Sequence, residues 1–187
     1  MYFCDELSSV IDTLKSGGTI IYPTDTIWGI GCDAFNESAV GNLFYLKKRP
    51  RNKPLLLLVD SIEMLKLYVE IHPRVETLLY YHRQPRTIIY QADKRIPDYL
   101  TSENHSIGIR VVLDDFCKEI IKSFGHPITS TSANFSGAPF PKSFQEIEND
   151  FLKVADYVVK YRQSDYQQAA PSVIATFNNE GDLSFLR

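Results

Sequence analysis

Residues 55 to 59 read Leu-Leu-Leu-Leu-Val, five large apolar side chains in succession. A strand sends alternate side chains to opposite faces, so such a run is buried only where both faces are covered. Five residues is strand length and too short for a core helix. The chain must therefore build a sheet with packed layers on either side, which is a layered α/β architecture.

The flanking segments supply those layers. Leu7, Val10, Ile11 and Leu14 recur at helical spacing over residues 5–16, and Gly17-Gly18 forms a stop. Asn36 is placed to cap a helix over 37–48 whose apolar face is Val40, Leu43, Phe44 and Leu46. Further helices are expected near 61–69, 73–82 and, capped by Asp114, 115–124. Ser143 and Glu146 have the spacing of a capping box. Strands are expected at 19–22, 28–32, 87–90, 106–111, 127–130, 156–160, 172–177 and 183–186. Close spacing of strands at both ends predicts a mixed sheet rather than a parallel one. With no linker or repeat, one domain over 1–187 is expected.

Composition narrows the class. At 187 residues the chain can bury about 70% of its unfolded surface. No apolar run reaches the roughly 18 residues of a membrane span, so no membrane contact is expected. The first residues lack the basic and apolar regions of a signal peptide. The cysteines Cys4, Cys32 and Cys117 are odd in number and scattered. A cytoplasmic protein with reduced thiols is the expectation.

Three polar segments interrupt the apolar framework. Pro23-Thr-Asp-Thr26 follows a strand and sets two hydroxyls around a carboxylate, where α/β proteins place ligands. Residues 47–53 read Lys-Lys-Arg-Pro-Arg-Asn-Lys, five cations in seven positions, while the net charge is −3, leaving the remainder at −8. So dense a cationic run needs water or anions and cannot easily sit in a core. Ser130 to Gly137 reads Ser-Thr-Ser-Ala-Asn-Phe-Ser-Gly, hydroxyls and an amide suited to phosphate or ribose oxygens.

Several chemistries are not indicated. There is no P-loop motif, and Gly29-Ile-Gly31 lacks the remainder of a dinucleotide fingerprint. The four histidines are dispersed without zinc-ligand spacing, and no protein-held metal is expected. No serine stands in Gly-x-Ser-x-Gly. Tyr80-Tyr-His-Arg83 reads as helix packing rather than a stacking surface for RNA.

Tyr22-Pro-Thr-Asp-Thr-Ile-Trp-Gly-Ile-Gly31, then Lys47-Lys-Arg49 through Lys53-Pro-Leu, then Ser132-Ala-Asn134-Phe-Ser-Gly137 stand in order along the chain. In these motifs the sequence resembles the YrdC-like threonylcarbamoyl-AMP synthases, in their short single-domain form. The resemblance implies a YrdC/RibB-like fold: a twisted mixed α/β (α+β) sheet flanked by helices around a large, positively charged cavity. It implies a nucleotidyltransferase that makes threonylcarbamoyl-AMP and pyrophosphate from L-threonine, bicarbonate or CO2, and ATP. The product would serve tRNA threonylcarbamoyladenosine formation through a separate transferase, and a tRNA contact is open.

By the same resemblance, Lys47, Arg49, Lys53, Ser106, Ser132, Asn134 and Arg187 would line the nucleotide side. Thr24, Thr26, Arg110, Ser130 and Ser172 would line the threonine side, with Arg49, Lys53 and Thr26 closest to the chemistry. Joining a carbamate oxygen to an electron-rich α-phosphate calls for preplaced cations and Mg2+. The chain departs from the family at Arg83-Gln-Pro-Arg86, Thr129-Ser-Thr131 and Ser172-Val173. The alternatives are a paralogue of the same fold that binds nucleotide or RNA without making the adenylate, and a separate RNA-binding module.

Overall fold

The computed structural model describes residues 4–165 and 170–186. They form a nine-stranded sheet from β1 (Ile20–Tyr22), β2 (Gly29–Gly31), β3 (Leu56–Val59), β4 (Arg86–Gln91), β5 (Ser106–Val111), β6 (Ile128–Ser132), β7 (Tyr157–Val158), β8 (Val173–Phe177) and β9 (Leu183–Phe185). Its order is β7-β1-β2-β6-β3-β5-β4-β8-β9. β3 runs parallel to β5, β4 to β8 and β1 to β7, while the other neighbours are antiparallel. The sheet is mixed, and the antiparallel pairs β1/β2 and β8/β9, from the early and late parts of the sequence, stand where the close strand spacings predict.

Six α-helices flank the described sheet: α1 (Cys4–Lys15), α2 (Glu37–Leu46), α3 (Ile62–Lys66), α4 (Pro73–Tyr81), α5 (Asp115–Phe124) and α6 (Asn149–Leu152). Their starts follow local chemistry. The Asn36 side chain accepts from Ala39 N at 3.0 Å, and Asp114 caps α5 by accepting from Cys117 N at 2.9 Å. The Ser143 capping box does not form. A 3-10 turn follows instead, and Glu146 accepts from Lys142 N at 2.8 Å. Tyr80 and Tyr81 do not pack inward as expected. Both are 73% exposed, ring edge against ring face.

Two hydrophobic clusters divide the sheet by face. On one face Ile20, Tyr22, Leu58 and Val112 pack against Val10 and Leu14 of α1 and Phe116, Ile120 and Ile121 of α5. On the other, Leu57, Val59, Ile88 and Ile109 meet Val40, Leu43 and Phe44 of α2 and Val75 and Leu79 of α4. The Leu55–Val59 run is thus covered on both sides. The α1/α5 layer reaches Leu58 and Val112 but leaves the same face open towards Leu56 and Gly108, which line a cavity.

The basic run departs from expectation at Lys47. It is 1% exposed, and its ammonium donates to the carbonyls of Ser132 and Asn134 at 2.5 and 2.6 Å, over the Phe151 ring. Lys47 ties the end of α2 to the loop after β6 and does not reach the cavity. The two carbonyls and the ring supply what solvent would otherwise supply.

Two expectations follow. A Cβ on Gly31 would stand 1.9 Å from the Thr129 carbonyl oxygen of the neighbouring strand. Gly31→Ala should force β2 and β6 apart at a cost of about 3 kcal/mol or more, read as a lower urea midpoint. An unchanged midpoint would mean that the strands give way freely. Burial, then the Arg49 charge, pushes the Lys47 ammonium down to about 7. Above that pH the folded chain has lost a proton that the unfolded chain keeps until about 10.4. Stability from this group therefore rises with pH across that window, by up to about 1.4 kcal/mol per unit. Urea unfolding of the wild type and Lys47→Met over this range should show the difference growing with pH, and a flat difference would refute it.

Candidate active site

The open part of the sheet face is a cavity of about 330 Å³, a volume in the range of small-molecule sites. Strand alternation builds its floor. Ser106, Gly108 and Arg110 of β5 share one face, flanked by Leu56 of β3 and Thr87 and Ile89 of β4. Gly108 keeps that floor low, since a Cβ there would lie 3.2 Å from Thr87 Cγ2. Ser130 and Ser132 of β6 form one wall, and Pro171, Ser172 and Ile174 form another. Thr26 to Gly29, entering β2, Arg49 with Pro54 and Leu55, and Thr131 and Phe140 complete the lining.

Arg49 arrives by a defined turn. Lys48 N bonds Tyr45 O and Arg49 N bonds Phe44 O, both at 2.9 Å, with Lys48 at φ 52°. This is a Schellman motif with lysine at the position glycine usually takes. The Arg49 guanidinium is then held by the Lys53 and Pro54 carbonyls at 2.8 and 3.1 Å. Burial lowers its pKa from the usual arginine value.

Arg110 is 3% exposed and donates through Nη1 to Thr26 Oγ1 at 2.9 Å. Its Nη2 lies 3.4 Å from Asp25 Oδ1, and Asp25 is itself 8% exposed on its side chain. Asp25 Oδ2 accepts from Leu113 N at 3.0 Å. Arg110 Nε and Asp25 Oδ1 are buried without hydrogen-bond partners. Thr87 Oγ1 and Ser172 Oγ are 2.8 Å apart on the opposite wall. Among the described lining residues the charges are the two guanidiniums, with no carboxylate, histidine or lysine.

Of the residues nominated from sequence, Thr26, Arg49, Ser106, Arg110, Ser130, Ser132 and Ser172 meet in this one cavity. Others stand elsewhere. Thr24 is 2% exposed and borders an adjoining hollow rather than the cavity. Lys53 is exposed and contributes its carbonyl, not its ammonium, by holding Arg49. Asn134 lies behind the Ser132 wall, where its Nδ2 donates to the Phe135 and Ala138 carbonyls at 3.1 and 2.7 Å. It shapes the loop, and its buried Oδ1 is left without a partner. Arg187 lies outside the described residues.

Sequence reasoning gave no site role to Asp25, Gly108, Thr87 or Arg162. Asp25 and Gly108 had signals, the first between two nominated threonines and the second midway between Ser106 and Arg110 on a strand of period two. Arg162 had none. It joins Asp114 and Asp165, each at 2.8 Å, beside the adjoining hollow, where Asp25 also lies.

A protein-held divalent cation does not fit the cavity's donors, which are hydroxyls and guanidiniums. Among the described residues there is no cluster of three or more metal-ligating side chains. Among the described residues no helix is long and apolar enough to cross a membrane.

Comparison with known proteins places this geometry. The family described as "Telomere recombination", which groups Sua5, YciO and YrdC, matches residues 12–187. A protein of Aliivibrio fischeri named threonylcarbamoyl-AMP synthase is 40% identical over 146 residues, covering 76% of this chain and 79% of its own length. Escherichia coli YciO superposes with a TM-score of 0.83 at 21% identity, covering 98% of this chain and 88% of that one. Pyrococcus abyssi Sua5, solved in complex with L-threonine, superposes with a TM-score of 0.84 at 24% identity over 97% of this chain. This chain spans 53% of that longer protein. The two structures share the fold, and the match along nearly the whole sequence settles the relationship: the chain belongs to the Sua5/YciO/YrdC family.

Proposed function

We propose that the chain is an L-threonylcarbamoyladenylate synthase, joining L-threonine, bicarbonate or CO2, and ATP into threonylcarbamoyl-AMP with release of pyrophosphate. The observation that carries this reading is a single cavity with two fixed guanidiniums, Arg49 at its helix-end rim and Arg110 on its floor. Similarity to proteins named threonylcarbamoyl-AMP synthase supports it.

In this reading Arg110 takes the amino-acid carboxylate, by a paired hydrogen bond that guanidinium geometry suits. Thr26, Ser130 and Ser172 border that end of the site. Arg49 faces the phosphates, with Ser106 and Ser132 on the nucleotide side. A carbamate oxygen attacks the α-phosphorus. The new bond is O–Pα, the bond between Pα and its bridging oxygen to Pβ breaks, and pyrophosphate leaves with the charge. Magnesium carried on the phosphates and the Arg49 guanidinium offset that charge as it develops. The described lining holds no acid–base side chain, so rate must come from orientation and electrostatics, which can supply about 7–11 kcal/mol. The product would pass to a separate tRNA-modifying transferase.

Arg49→Ala should lower L-threonine- and bicarbonate-dependent pyrophosphate release by about 10²–10³-fold, with little change in melting temperature because its hydrogen bonds go to a surface loop. Undiminished release would remove Arg49 from the chemistry. A wild type with salt-sensitive RNA binding but no threonine-dependent pyrophosphate would favour a non-synthase paralogue instead.

A further inference from the structure

A hydroxyl has one proton to give and two lone pairs to receive with. Thr24 Oγ1 gives its proton to the Ile27 carbonyl at 2.8 Å and accepts from Thr26 N at 2.9 Å. It also lies 2.9 Å from Thr26 Oγ1. With its own proton committed, Thr24 can only receive in that last bond, so Thr26 must donate. Thr26 Oγ1 in turn accepts from Arg110 Nη1 at 2.9 Å. Protons therefore point one way, from Arg110 to Thr26 to Thr24 to the Ile27 carbonyl. Thr24 has no capacity left for a ligand, and Thr26 has one lone pair.

Asp25 acts on the same arginine from another side. One carboxylate oxygen is anchored by Leu113 N, and the other faces Arg110 Nη2. The guanidinium is thus braced by Thr26 and by Asp25, while the arginine lines the cavity with Nε unpartnered.

We propose that Thr24 and Asp25 are positioning residues that stay off the substrate: they hold Thr26 as a pure acceptor and Arg110 as an anion-facing donor, so that the cavity receives an α-amino acid with its carboxylate on Arg110 and an amino N–H on Thr26. The inference rests on the synthase reading and deepens it by orienting the amino acid. An anionic oxygen placed beside Thr26 would find no proton there, so at this end of the site a carboxylate is directed to Arg110 rather than to Thr26. An ammonium or amine finds the acceptor it needs.

The test is calorimetric titration of the full chain with L-threonine and, separately, with ATP. Thr24→Val keeps the shape and removes the hydroxyl, and Thr24→Ser restores it. Asp25→Asn can still accept from Leu113 N but turns an N–H against Arg110 Nη2. L-Threonine affinity should fall at least about tenfold in Thr24→Val and in Asp25→Asn, as expected when a buried partner is left unmatched. Thr24→Ser should stay within about threefold of wild type, and ATP affinity should hold within about threefold in all three. Retained ATP binding reports that each variant is folded, and Asp25→Asn carries the test if Thr24→Val is not. Unchanged L-threonine affinity in the folded variants overturns the proposal. So does an equal loss of ATP and L-threonine affinity, which would mark general damage. A wild type that binds no L-threonine overturns the synthase reading itself.

Discussion

The site exists because one sheet face is only partly covered. Along β5 the residues Ser106, Gly108 and Arg110 point to the same side, and Val112 continues that side under α1 and α5. A sheet face left bare would ordinarily be filled by apolar side chains. Here the missing side chain of Gly108, flanked by Leu56 and Ile89, opens a floor just where the helices end. Every wall then comes from a strand or loop entering from another part of the sheet. The strand order, which sets β6 and β3 on one flank of β5 and β4 and β8 on the other, decides which hydroxyls face each other.

The seven-residue basic run shows how local electrostatics sorts identical charges. Lys47 is buried because the end of α2 faces the carbonyls of Ser132 and Asn134, and burying an ammonium is tolerable when acceptors replace water. Even a neutral amine could serve both carbonyls, since it keeps two N–H groups. Arg49 is half-buried at the cavity rim, fixed by a turn that costs left-handed backbone at Lys48. Lys53 stays in solvent and helps through its peptide carbonyl. Three cations of one motif thus have a structural, a site-facing and an exposed place.

That sorting marks the limit of what sequence makes legible. Periodicity and caps located the elements: Asn36, Asp114, Gly17 and the Leu55–Val59 run stand where local chemistry puts them. The three motifs located the cavity, because strand exits and a helix end in an α/β protein converge. What patterns of residue types do not encode is which groups lie opposite across sequence separations of 80 or more, such as Lys47 with Ser132 or Arg110 with Thr26. Nor do they show that Thr24 has its hydrogen bonds filled within its own turn. At Ser143 the failed capping box has a simpler form: the Glu146 side chain reaches one residue past the cap, to Lys142 N, and the Ser143 side chain caps nothing in the 3-10 turn.

The Asp25–Arg110 pair gains meaning from its poor geometry. Two buried charges must recover a large desolvation cost, and well-packed apolar residues would often stabilise a fold as well or better. At 3.4 Å, with the facing carboxylate oxygen lacking a hydrogen bond and Nε unpartnered, this pair falls short of the bidentate fit that would repay burial. An apolar replacement would satisfy the core but fix no donor direction. A carboxylate that fully engaged the arginine would leave it nothing for a ligand. The observed compromise keeps a cation under the floor of the cavity, oriented and incompletely satisfied, which is the condition in which an incoming carboxylate gains most.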